Sequence, residues 1–140
     1  MNRVLLSAVA LLGGCASLPT FPEPDARWMN YSGQLQYVTA ERSVIGEFIA
    51  SRRAGDFRLD VSKGGAAPLL RVARHGDLAR AEGALARGRW SGNAGDAPAP
   101  LRAWVAEVPE AFARLGTATP QRLVIPGERP GEKIVLIFNR

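Results

Sequence analysis

Polar and apolar residues alternate cleanly along YSGQLQYVT (31–39), with Tyr31, Gly33, Leu35 and Tyr37 on one side and Ser32, Gln34 and Gln36 on the other. A period of two marks a strand with one buried face. SVIGEFIAS (43–51) is rich in β-branched and aromatic residues, with Glu47 interrupting one face. DFRLDVS (56–62) sets Phe57, Leu59 and Val61 opposite Arg58 and Asp60, after an Ala54-Gly55-Asp56 turn. Beyond a KGGAAP loop (63–68), LLRVAR (69–74) reads as a further strand. Four antiparallel strands in meander order are the economical arrangement.

The segment DLARAEGALARG (77–88) supports two readings. Its composition favours a helix, and Leu78, Ala81 and Leu85 fall near a helical stripe. The preceding His75-Gly76-Asp77 favours a hairpin return, and strand is preferred over helix here. After a GNAGDAPAP loop, LRAWVAEVPEAFARL (101–115) predicts a helix with Leu101, Trp104, Val105, Val108, Phe112 and Leu115 on one face. Pro109 removes a backbone donor, so the helix should kink or restart there. QRLVI (121–125) and KIVLIFN (133–139), joined by a PGERPG turn, predict a closing hairpin. The order of sheet, helix and hairpin is that of an α+β chain.

The amino terminus follows another pattern. One positive charge, Arg3, precedes nine apolar or small residues from Val4 to Leu12. That run is too short to span a bilayer, which takes about 20 residues, and suits the core of a signal peptide. It ends Leu12-Gly13-Gly14-Cys15, the form of a bacterial lipobox, in which the thiol takes a diacylglyceryl group. Cys15 is the only cysteine, and acylation accounts for an unpaired thiol in an exported chain. The expected organisation is a signal peptide (1–14), a lipidated cysteine with a proline-rich tether (15–27), and one domain (28–140). The tether ASLPTFPEPDAR would reach ~35 Å if mostly polyproline-like. Ala16 rather than Asp after the cysteine favours the outer membrane, with the protein facing the periplasm.

Composition narrows the chemistry. Cleavage before Cys15 leaves 126 residues with 17 basic and 13 acidic side chains, a net charge of +4. On an exported, anchored protein anionic lipid is a more accessible partner for this charge than nucleic acid. A chain rich in Ala, Gly, Pro and Arg, with only Lys63 and Lys133 as lysines, also carries it through compositional bias alone, which is the preferred reading. His75 is the only histidine, which excludes a histidine-based metal site or a serine–histidine relay and suits a turn residue. GRWSG (88–92) places its serine one position too late for a hydrolase elbow. GERPGEK (127–133) misses phosphate-loop spacing and reads as a hairpin turn. No enzyme activity, metal or cofactor is implied.

The order of these features, from the lipobox and tether through W..YSGQLQY, VIGEFIAS.RAGDFRLDVSKGGAAPLLRV and PLRAWVAEVP to PQRLVI…KIVLIF, resembles the outer-membrane lipoprotein-localisation receptor family (LolB-like). The resemblance spans about residues 28–138. It implies a curved antiparallel sheet, a half-barrel closed by one or two short helices over an apolar core or cavity. It also implies lipoprotein acyl chains and a periplasmic carrier protein as partners, beside the outer-membrane lipid that holds Cys15. The family carries a leucine in the loop corresponding to KGGAAP, and this chain has none before Leu69. Residues positioned to line such a cup are Leu35, Tyr37, Phe48, Phe57, Leu59, Val72, Trp104 and Phe112. The same residues suit a dry core, in which case the chain is a structural or adaptor lipoprotein with a protein partner.

Overall fold

The computed structural model describes residues 20–65 and 68–140. The segment expected to be a signal peptide, Cys15 and the start of the expected tether lie outside the described residues.

Eight strands form one antiparallel sheet: β1 (Met29–Val38), β2 (Ser43–Arg53), β3 (Asp56–Ser62), β4 (Pro68–His75), β5 (Leu78–Gly83), β6 (Gly88–Asn93), β7 (Arg122–Pro126) and β8 (Lys133–Phe138). Their order is β6-β5-β4-β3-β2-β1-β8-β7, so β1 to β6 are a continuous meander and the closing hairpin adds to the β1 edge. Segment 77–88 follows the strand reading as far as Gly83, then makes a 3-10 turn over Ala84–Ala86. GRWSGN forms the edge strand β6, where the sequence pattern assigns no element to 89–91 and a loop from Gly92 onward. His75 is the last residue of β4 rather than part of the turn.

One helical rod crosses the sheet. It is α-helical over Ala99–Arg102 (α1), π-helical over Ala103–Glu107 and α-helical over Val108–Ala113 (α2). The five π residues approach β4, β5 and also β7. In a flat sheet, β5 and β7 would lie six strand spacings, or about 29 Å, apart. Five helical residues span only ~7 Å along their axis. The sheet therefore curls around the rod, and its edges do not join.

The predicted break at Pro109 takes the form of this π turn. In an α-helix the Val105 carbonyl would accept from residue 109, but proline has no N–H. The rod widens instead, with the Val108 N–H reaching back to the Ala103 carbonyl. The free Val105 carbonyl accepts from Arg74 Nη1 at 3.0 Å. Arg74 lies in register with Phe57 on the concave face of the sheet, where it also donates to the Gly76 carbonyl. A buried carbonyl without a donor would cost about 1–3 kcal/mol, so one β4 side chain sustains the irregular helix.

Inward residues of the alternating strands meet the rod in one core that includes Leu35, Phe48, Leu59, Val61, Leu70, Val72, Trp104 and Phe112. Phe112 is fully buried. Its ring centroid lies 5.2 Å from Tyr31, 6.4 Å from Phe48, 5.3 Å from Phe57 and 5.8 Å from Phe138. Gly33 allows β1 and β8 to close over this cluster, because an added Cβ would fall 1.9 Å from the Ile137 carbonyl oxygen.

The described part of the tether is packed against the outer face of the sheet. Phe21 is buried, with the Arg80 guanidinium 4.9 Å from its ring centroid. Arg58 donates to the carbonyls of Phe21 and Pro22 and to the Glu23 carboxylate. Arg58, Ala73 and Arg80 form one cross-strand row, and Ala73 is buried although it lies outside the main core. Trp28 is also buried, beneath the Arg53 guanidinium.

Candidate functional site

The eight positions proposed from sequence come together, but in two environments. Leu35, Phe48, Phe57, Leu59, Val72, Trp104 and Phe112 are each at most 3% exposed and lie in the single core. The rings around Phe112 are at contact spacing, as in a close-packed interior. Tyr37 alone is half-buried, stacked at 5.3 Å against Trp104 with its hydroxyl beyond the core.

That hydroxyl opens onto a cavity of about 560 Å³. Its walls come from separate elements: Tyr37 and the β1–β2 turn, Leu85 to Arg87 between β5 and β6, Pro98 to Leu101 at the start of the rod, and Arg129 to Glu132 between β7 and β8. Antiparallel pairing places these turns at the same end of the sheet, and the curl brings them within reach of one another. Prolines 98, 100 and 130 give the wall rigid apolar surface, and Leu85 and Leu101 supply its aliphatic part.

Glu132 is buried at this site and accepts a hydrogen bond from the Tyr37 hydroxyl at 3.2 Å. Burial raises the pKa of Tyr37, and the charge and hydrogen bond of Glu132 raise it further. Arg129 and Arg42 oppose that shift. Tyr37 is therefore a neutral donor near pH 7, able to hold a carboxylate without becoming an anion itself.

A second cavity, of about 350 Å³, lies at the opposite end of the sheet between the β2–β3 turn and α2. Asp56 on its wall is buried and receives Arg53 at 2.8 Å, with His75 Nδ1 within hydrogen-bond distance of its other oxygen. Burial alone would raise the Asp56 pKa, but the hydrogen bonds from His75 and Arg53 outweigh it and hold the carboxyl below its ordinary value. This cluster ties the β2–β3 turn to the end of β4. Among the described residues, no group of three metal-capable side chains converges and no helix is long and apolar enough to cross a membrane.

Arg42, Arg87, Arg129 and Glu132 on the cavity wall carried no signal in the sequence pattern, since they are spread over three turns and only the strand register brings those turns together. Comparison with known families finds no family model that matches the chain, and comparison with curated proteins finds no match.

Proposed function

We propose that this chain is an outer-membrane-anchored lipoprotein facing the periplasm that binds an acyl chain or another apolar ligand and catalyses no reaction. In this reading Cys15 carries the anchor, and the curved sheet with its rod acts as a half-barrel of the lipoprotein-localisation receptor type, receiving lipoproteins from a periplasmic carrier. The observation that carries the reading is the cavity between the start of the rod and three strand turns. Its volume of about 560 Å³ falls within the range of roughly 300–1,000 Å³ typical of small-ligand sites. Ten methylenes buried there would contribute ~8 kcal/mol before ordering costs. The ligand wall is then Tyr37 with Leu85 and Leu101, while the other seven sequence-proposed residues form the floor that supports it.

The packing of rings around Phe112 favours a second reading, a structural or adaptor lipoprotein with a filled core and a protein partner. One experiment separates the two. A fluorescent fatty-acid probe is titrated into the full chain carrying Cys15→Ser, and into the same chain with Ala86→Trp, whose indole would occupy the cavity. Acyl binding by the parent that is lost in Ala86→Trp supports the first reading. A well-folded parent that binds no probe supports the adaptor.

A further inference from the structure

We infer that the cavity takes a single-chain anionic amphiphile, with its phosphate or carboxylate headgroup held by Arg42, Arg87 and Arg129 and its chain laid against Tyr37, Leu85 and Leu101. The inference rests on the apolar-ligand reading above and adds the charge and position of the headgroup.

Three observations converge on it. Arg42, Arg87 and Arg129 rise from three different turns onto the wall of one cavity. Seven arginines elsewhere, including Arg53, Arg58 and Arg102, form ion pairs with carboxylates, whereas none of these three does so among the described residues. Guanidinium groups left without carboxylate partners beside apolar surface are suited to a planar or tetrahedral oxyanion, which they hold through paired N–H donors.

Arg87 adds a backbone observation. It is the only non-glycine residue with positive φ among the described residues, at 54°. Glycine or asparagine would take that left-handed conformation with less strain, and the next residue is Gly88. An arginine kept there, with its side chain on the cavity wall, carries strain that the fold does not need.

Two carboxylates share the wall, Glu41 and Glu132. Glu132 is buried and engaged by Tyr37, and Glu41 is exposed on its turn, so the rim keeps an excess of positive charge. A neutral amphiphile would desolvate the guanidiniums without replacing their water. A free inorganic anion would leave the apolar wall wet.

The test titrates the full chain carrying Cys15→Ser, below micelle-forming concentrations, with dodecyl phosphate, dodecanoate, dodecyl maltoside and inorganic phosphate. Tryptophan fluorescence reports binding, since Trp104 lies against Tyr37. The two anionic amphiphiles are expected to bind about tenfold or more tighter than dodecyl maltoside, with affinity that falls as salt rises. Arg87→Gly should weaken anionic binding about tenfold, leave dodecyl maltoside unchanged, and keep or raise the thermal midpoint because the strain is gone. Arg129→Gln carries the same binding test if Arg87→Gly fails to fold, and Arg122→Gln on β7 should behave as the parent.

Equal affinity for all three amphiphiles, unchanged by Arg87→Gly and Arg129→Gln, would overturn the headgroup assignment and leave the apolar-ligand reading standing. Binding of no amphiphile would overturn both. Inorganic phosphate binding as tightly as dodecyl phosphate would overturn the role of the chain, leaving a simple anion site.

Discussion

Truncating Phe112 to alanine measures how full the interior is. The side chain projects from α2, has no exposed surface, and meets rings from β1, β2, β3 and β8 at 5.2 to 6.4 Å. Its removal takes away the transfer free energy of a buried ring and leaves a void that four neighbours from four strands cannot jointly collapse to fill. Phe→Ala changes of this kind cost about 3–5 kcal/mol, and the four lost aromatic contacts place Phe112 toward the upper end. Domains this size are stable by about 5–15 kcal/mol, so a large share of the total depends on one ring. Equilibrium urea unfolding of the Cys15→Ser chain with and without Phe112→Ala reads the difference, provided that the slope with denaturant is unchanged. A loss below ~1.5 kcal/mol would refute close packing, because a ring beside an existing void forfeits little beyond its transfer term. The ligand space would then extend inward from the turn end to the helix.

Three further outcomes follow from the described contacts. Arg74→Met should cost about 1–3 kcal/mol by orphaning the Val105 carbonyl, and adding Pro109→Ala should recover part of it by supplying an N–H; a double-mutant cycle of unfolding free energies showing no coupling would count against that link. Because the folded-state pKa of Asp56 lies below its unfolded value of 3.8, its contribution is present above that value and is lost as pH falls through the folded pKa. Asp56→Asn should therefore be less stable at neutral pH and show a shallower loss below pH 3.8 by thermal unfolding across an acid series. Cys15→Ala should leave the protein unacylated and out of the membrane fraction; fractionation with membranes that survives high salt would remove the lipoprotein assignment.

The strands from Met29 to His75 were legible because each buries one face, and burial against a single neighbour leaves a period of two in the sequence. β6 was not, because it is an edge strand with no fully buried residue, so GRWSGN has no apolar side to reveal it. The helical stripe was legible too, but the response to Pro109 was a π turn whose carbonyl is satisfied by Arg74, far along the chain and invisible to any local window. For the site, periodicity identified which residues face inward but had no means of separating core from cup, since Leu59 at the centre and Tyr37 at the rim share the same alternation. The difference is set by length along the strand. Tyr37 lies one residue before the end of β1, where its ring still meets Trp104 of the rod but its hydroxyl reaches past the core to Glu132 on the β7–β8 turn.

Under the proposed function, the docking of Phe21 bears on how a lipid-anchored protein would search for its cargo. From a lipid on Cys15, a chain free as far as Trp28 would sweep a radius of ~35 Å. With Phe21 seated on the sheet, only the five residues 16–20 would separate such a lipid from the body of the domain, a leash of ~15 Å at the same polyproline-like rise. Accessible volume scales with the cube of that radius, so it contracts roughly tenfold and the local concentration of the cavity near the bilayer rises by the same factor. Phe21→Ala would lengthen the leash without touching the cavity, trading frequency of encounter with the membrane for range into the periplasm.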